Sequence, residues 1–167
     1  MTGAAGFIGN VLVTMGEDKG MAYLRKLAKQ QIIPVSASAR KVLDQAVAGE
    51  YPIALQIFNH HTVISAKKGA PVTWVKMEPV TNVISAIGLI KGSPHPNAGK
   101  LLIEYMLSLE GQKVLQTANY LPAHPDVPAK VPSLKPKEGG YKVNVMSQKM
   151  VHRNLKKWKK IHADLFR

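Results

Sequence analysis

A chain of 167 residues has room for one domain or two small lobes, and with 46% apolar and 20% charged residues it can build a packed core. No run of 18 apolar residues is present to span a membrane as a helix, and the absence of cysteine excludes disulfides, thiolate metal sites and a cysteine nucleophile. The formal net charge is +13 and uneven: residues 130–167 hold 11 Lys/Arg against Glu138 and Asp164, whereas the first 129 residues hold 12 against 8. A basic end of this kind fits nucleic acid, an anionic membrane or the solvated face of one helix.

The chain opens with Gly3, Gly6 and Gly9, read as a glycine-rich turn feeding a helix whose inner face is Phe7, Ile8, Val11, Leu12 and Met15. Met1 leads straight into this stretch, which predicts no signal peptide in the chain. Glu17 and Asp18 favour a second helix start, and Met21, Leu24, Leu27 and Ala28 carry that helix to about Gln30. Pro34 blocks continuation. Ser36 or Ser38 caps a third helix with Val42, Leu43, Ala46 and Val47 inward, closed by Gly49. Strands are predicted at 51–58, 72–78 and 82–91, with a helix or turn from Asn59 to Gly69 between the first two. A long amphipathic helix follows from about Ser93, broken near Gly111. Residues 119–142, rich in Pro, Lys and Gly, read as an extended surface segment with His124 in a turn, and His95 also sits in a Pro-flanked turn. A last helix over about 147–166 puts Val151, Leu155, Trp158, Ile161 and Leu165 on one stripe, leaving Arg153, Lys156, Lys157, Lys159 and Lys160 around it. Because Trp158 falls on the apolar stripe, no aromatic is interleaved with the basic residues, and nucleic acid is not expected as a partner. Helices alternating with short apolar strands predict an α/β class with a mixed or parallel sheet.

The opening glycines also match the turn of an NAD(P)-dependent short-chain dehydrogenase. That motif needs a strand before its first glycine, and here only Met1 and Thr2 precede it. It needs a Tyr-x-x-x-Lys pair, but the residues four after each tyrosine are Leu27, Leu55, Leu109, His124 and Val145. An oxidoreductase of this type therefore remains only an alternative reading, as does a basic module that binds nucleic acid or an anionic surface. G-x-S-x-G and H-E-x-x-H are also absent, so no enzyme constellation is found. A helix start with bare N–H groups still suits an anion, and a plain turn with close helix packing is the competing reading.

From Thr2 to Gln112 the chain resembles a bacterial extracellular solute-binding protein of an ABC importer, in the ferric-ion-binding-like branch. The segments that carry the likeness are TGAAGF, ARKVLDQAVAGEYPIALQIFNHH and IGLIKGSPHPNAGKLLIEYMLSLEGQ, with YLPAHPDV after them. The resemblance implies a type II periplasmic-binding fold, three-layer αβα with a mixed sheet, and a C-terminal fragment of it. Residues 1–82, completed by the helix of 143–167, would be the ligand-binding lobe, and 83–142 the returning part of the other lobe, with Trp74 and Glu78 in structural roles near the crossing. It implies a periplasmic protein that traps a small anion or metal complex in an interlobe cleft and presents it to an inner-membrane permease. No cofactor is expected beyond a possible bound metal ion.

The same resemblance places the site. Thr2, Gly3 and Ala4 match the family's anion-anchoring turn. Asn59, His60 and His61 stand where ferric-binding members carry an asparagine and two tyrosines. Phenolate suits Fe(III), whereas neutral imidazole suits Zn, Cu, Ni or Fe(II), so the pair departs from ferric chemistry. His60 and His61 are candidates for ligand contact, for metal ligation, or for a polar turn with one imidazole bonded to backbone. Arg40 can offer a bidentate charge to an anion or stand as a solvated surface residue.

Overall fold

A computed structural model of the chain describes residues 3–166. The elements in order are α1 (Gly3–Met15), α2 (Glu17–Ala28), α3 (Ala39–Val47), α4 (Asn59–Lys67), β1 (Val80–Val83), α5 (Pro96–Leu107) and α6 (Leu109–Thr117). A 3₁₀ turn (Pro132–Leu134), α7 (Pro136–Gly139), β2 (Val143–Met146) and α8 (Gln148–Leu165) complete the chain. The protein is α/β, and it divides into two compact units, Met1–Ile84 with Tyr141–Arg167, and Ser85–Gly140.

The first unit is organised by α1 and α8. Ile8, Val11 and Leu12 of α1, Leu24 of α2, Met146 of β2, and Val151, Trp158 and Ile161 of α8 form its buried core. Phe7, Met21, Leu155 and Leu165 pack against that cluster from its margin. The glycines of α1 are not a turn, as the sequence reading had them: they lie inside the helix. Gly9 makes room for Trp158, since a Cβ there would lie 2.6 Å from its ring, whereas a Cβ on Gly6 would meet the Thr81 methyl at an ordinary 3.9 Å. The close helix packing that competed with the anion turn is thus what Gly9 provides. It also leaves the dehydrogenase alternative without its strand-to-helix turn.

α1 is pinned to the strands by amides. Asn10 donates to the Pro79 carbonyl at 2.8 Å, and Asn144 donates to the Asn10 Oδ1 at 2.7 Å and to the Thr14 hydroxyl at 2.8 Å. β1 and β2 run parallel, in register from Val80 opposite Val143 to Val83 opposite Met146. The Glu78 carboxylate accepts from the Lys142 N–H just before that register, and Trp74 packs edge-on against Tyr141 with centroids 5.5 Å apart.

The sheet of the described residues has these two strands, parallel rather than mixed. The strands expected at 51–58 and 72–78 do not form, and of 82–91 only the first two residues are in a strand. The reason is pairing. An apolar extended run becomes a strand only when a neighbour accepts its N–H and C=O groups, and β2 serves β1 alone. Ile53 and Val75 are each 76% exposed and Ile90 is 80% exposed, so these runs keep apolar side chains in solvent.

In the second unit the long helix is interrupted at Ser108, not at Gly111. Ser108 ends α5 and caps α6, donating to the Tyr105 carbonyl at 2.7 Å and accepting from the Gly111 N–H at 3.2 Å. A side chain at Gly111 would collide with that same Tyr105 carbonyl, which is why glycine stands there. Gln112 is buried and spans the fold, donating to the Met106 carbonyl at 2.7 Å and accepting from the Ala123 N–H at 2.6 Å. The segment after α6 is held further by Gln116 on the Pro128 carbonyl and Lys135 on the Val127 carbonyl. His124 is a turn residue, its Nδ1 accepting from the Asp126 N–H at 3.2 Å. His95 occupies the N-cap of α5 ahead of Pro96.

Candidate functional site

Four of the sequence-predicted residues, Arg40 on α3 and Asn59, His60 and His61 on α4, lie on two helices that pack on each other. Ser38 starts α3 by accepting from the Lys41 N–H at 3.2 Å. A residue and its fourth successor share a helix face, so Arg40 meets Asp44, with Nη2 2.8 Å from Oδ1. Both are exposed enough that the pair contributes only about 0.3–0.5 kcal/mol to folding, which leaves Arg40 available to a better anion.

α4 begins at Asn59 behind Phe58, whose backbone is extended. The Asn59 Oδ1 accepts from the His60 N–H at 2.8 Å, and the Phe58 carbonyl accepts from the His61 N–H at 3.0 Å. These bonds use amides that a helix start would otherwise aim at a ligand. Consecutive residues in a strand point to opposite faces, but in a first helical turn they do not. The His60 and His61 rings accordingly meet edge to face, centroids 4.4 Å apart, and Phe58 stacks on His60 at 5.6 Å and meets His61 edge-on at 5.4 Å.

The electrostatics keep both imidazoles neutral. Burial, then the neighbouring His61, pushes His60 down to about 4. Burial lowers His61 as well, the Arg40 guanidinium lowers it further, and Asp44 opposes them. A neutral imidazole offers one lone pair and one N–H. The His61 Nδ1 and the Ser65 hydroxyl, one turn apart on α4, are buried with no hydrogen-bond partner among the described residues.

Arg40, Asn59, His60 and His61 are thus brought together. Thr2 lies outside the described residues. Gly3 and Ala4 open α1, which packs on α8, α2 and the strands, whereas α3 packs on α4. Asp44 and Phe58 belong to the cluster and were not singled out in the sequence. The Arg-x-x-x-Asp spacing is the signal that could have found the first, and nothing marks Phe58 except its place before Asn59.

As a metal centre the group is incomplete: among the described residues no three His, Asp or Glu side chains gather to hold an ion. Two neutral nitrogens remain, beside a guanidinium whose charge repels a bare cation. The donor set fits an anion, or a metal that brings anionic donors of its own.

The arrangement is a polar cluster at a helix start in an α/β protein. Residues 4–120 match the family model of bacterial extracellular solute-binding proteins, and the chain belongs to that family. No curated protein and no solved structure matches the chain significantly.

Proposed function

We propose that the chain is a substrate-binding component of an ABC importer, in the ferric-ion-binding-like branch, that binds a small anion or an anionic metal complex in the periplasm and delivers it to an inner-membrane permease. Residues 1–82 with 143–167 act as the ligand-binding lobe, and 83–142 as the returning part of the other. Membership of an extracellular solute-binding family supports transport and a place outside the cytoplasm, and proteins of that kind are generally non-enzymatic.

The observation that carries the ligand class is the Arg40 guanidinium acting on His61, whose ring meets edge to face a neutral His60 stacked on Phe58. One cation and two imidazole N–H donors complement a carboxylate or phosphate oxygen, with Asn59 orienting His60 through its backbone N–H. Thr2, Gly3 and Ala4 stay in this reading as a second anchor through the opening amides of α1. A metal ion is cargo here, completed by oxygens of its own complex.

Thermal shift with phosphate, a phosphonate, citrate, zinc and ferric citrate tests the proposal. A ligand at a hundred times its Kd stabilises by about 2.7 kcal/mol, a rise of several degrees for a chain of this size. That rise is expected for at least one anionic probe and is lost in His60→Ala/His61→Ala and in Arg40→Gln. Variants that respond as the parent does remove these residues from the site, and a rise with zinc alone overturns the anion class.

A further inference from the structure

None of the solute-site residues proposed above lies on the outer face of α8. Lys149, Arg153, Lys156 and Lys160 recur at helical spacing along it, a ridge about 16 Å long at 1.5 Å per residue. His152, Lys157 and Lys159 flank them, and every one of these side chains is exposed. Within α8, six Lys/Arg stand against Asp164 alone. Lys157 is engaged by Glu17 at 2.7 Å and Lys160 by Asp164 at 3.6 Å. Lys149, Arg153, Lys156 and Lys159 have no ion pair with a described residue. The opposite face of the same helix holds Val151, Trp158 and Ile161 in the core, so folding does not call for the cations.

We propose that this ridge docks the protein peripherally on an anionic phospholipid surface. Charge complementarity requires a dense array of phosphates. A nucleic acid offers one too, but single-strand binders stack bases on aromatic rings among their basic residues, and the aromatic ring of this helix, Trp158, is turned inward at 3% exposure. The ridge carries no exposed apolar side chain that would insert between acyl chains, so the contact is electrostatic and reversible by salt. A straight row of cations suits a flat surface of headgroups, and a protein of an extracellular solute-binding family works beside a membrane. The inference rests on that membership and on α8, and not on the identity of the solute.

Sedimentation of the 167-residue chain with vesicles tests it, comparing phosphatidylcholine alone with phosphatidylcholine containing phosphatidylglycerol. Binding is expected only to the anionic vesicles and falls as salt rises. Lys149→Gln/Arg153→Gln/Lys156→Gln/Lys159→Gln is expected to weaken it at least about 30-fold, each cation near the surface being worth about fivefold. Lys67→Gln/Lys68→Gln/Lys100→Gln/Lys113→Gln, which removes the same charge elsewhere, is expected to retain binding. The ligand-induced thermal shift of the α8 variant stays that of the parent, so failure here is separable from failure of the solute site. Equal loss in both variants, no binding to anionic vesicles at low salt, or tighter binding to single-stranded DNA at matched salt overturns the proposal.

Discussion

His60 is the residue whose environment most changes its chemistry. Its imidazole titrates near 6.5 in an unfolded chain and at about 4 in the folded one. Between those values the unfolded state binds the extra proton, so stability is fully present above pH 6.5 and is lost as pH falls toward 4. His61 is displaced in the same direction and adds to the slope. Allowing for solvent screening of a half-buried ring, the loss attached to His60 is about 1–2 kcal/mol. Denaturant titrations at pH 7 and pH 4.5 are expected to show it, and His60→Asn to flatten the difference. An unchanged difference in that variant places the acid sensitivity elsewhere. Because the ring stays neutral above about 4, a ligand held by its N–H persists through mildly acidic pH.

At the scale of elements, one contact organises the first unit, the approach of α1 to α8 across Gly9. A methyl group there would overlap three atoms of the Trp158 ring, all within 2.8 Å. Gly9→Ala is expected to cost about 1–3 kcal/mol by overpacking, despite alanine's better helix propensity. Trp158→Ala removes the ring itself and costs about 3–5 kcal/mol. The double variant tests the contact, since the added methyl is harmless once the ring has gone. Additive losses in thermal or denaturant unfolding would show that the two residues do not meet. The same logic separates helices from strands in this chain. A helix satisfies its amides internally, so α2, α3 and α4 form near their predicted spans, capped by local groups such as Ser38.

For the whole molecule the uncovered apolar chain matters most. Ile53, Phe58, Val75, Ile84 and Ile90 lie exposed along extended runs, and Leu101, Leu102 and Tyr105 are exposed on α5, a helix with no buried residue. Exposed extended runs offer unpaired backbone to other chains, and apolar patches of this kind favour association. The net charge of +13 opposes it by repulsion. Self-association is therefore expected to rise with salt, read by light scattering. Ile53→Lys/Val75→Lys/Ile90→Lys is expected to suppress it without loss of helix content. A variant that associates as the parent does would exclude these runs as its cause.

Some of this was determined by residue order alone. Periodicity and caps set the helices, since their bonds close within a few residues, and the inward stripe of α8 was legible from Val151 to Leu165 because it repeats every turn. The family could be recognised from segments matched in order, the same likeness points to Asn59, His60 and His61, and Arg40 stands out by its charge at the start of the third helix. Tertiary structure decided the rest. Whether 51–58 and 72–78 become strands depends on neighbours distant in the chain, and so does the role of Gly9, which needs a ring contributed by residue 158. The neutral state of His60 could not be read from composition either, because it follows from burial and from a second imidazole within 4.4 Å. Local bonding is written in adjacent letters, whereas pairing, packing and desolvation belong to residues that only the fold brings together.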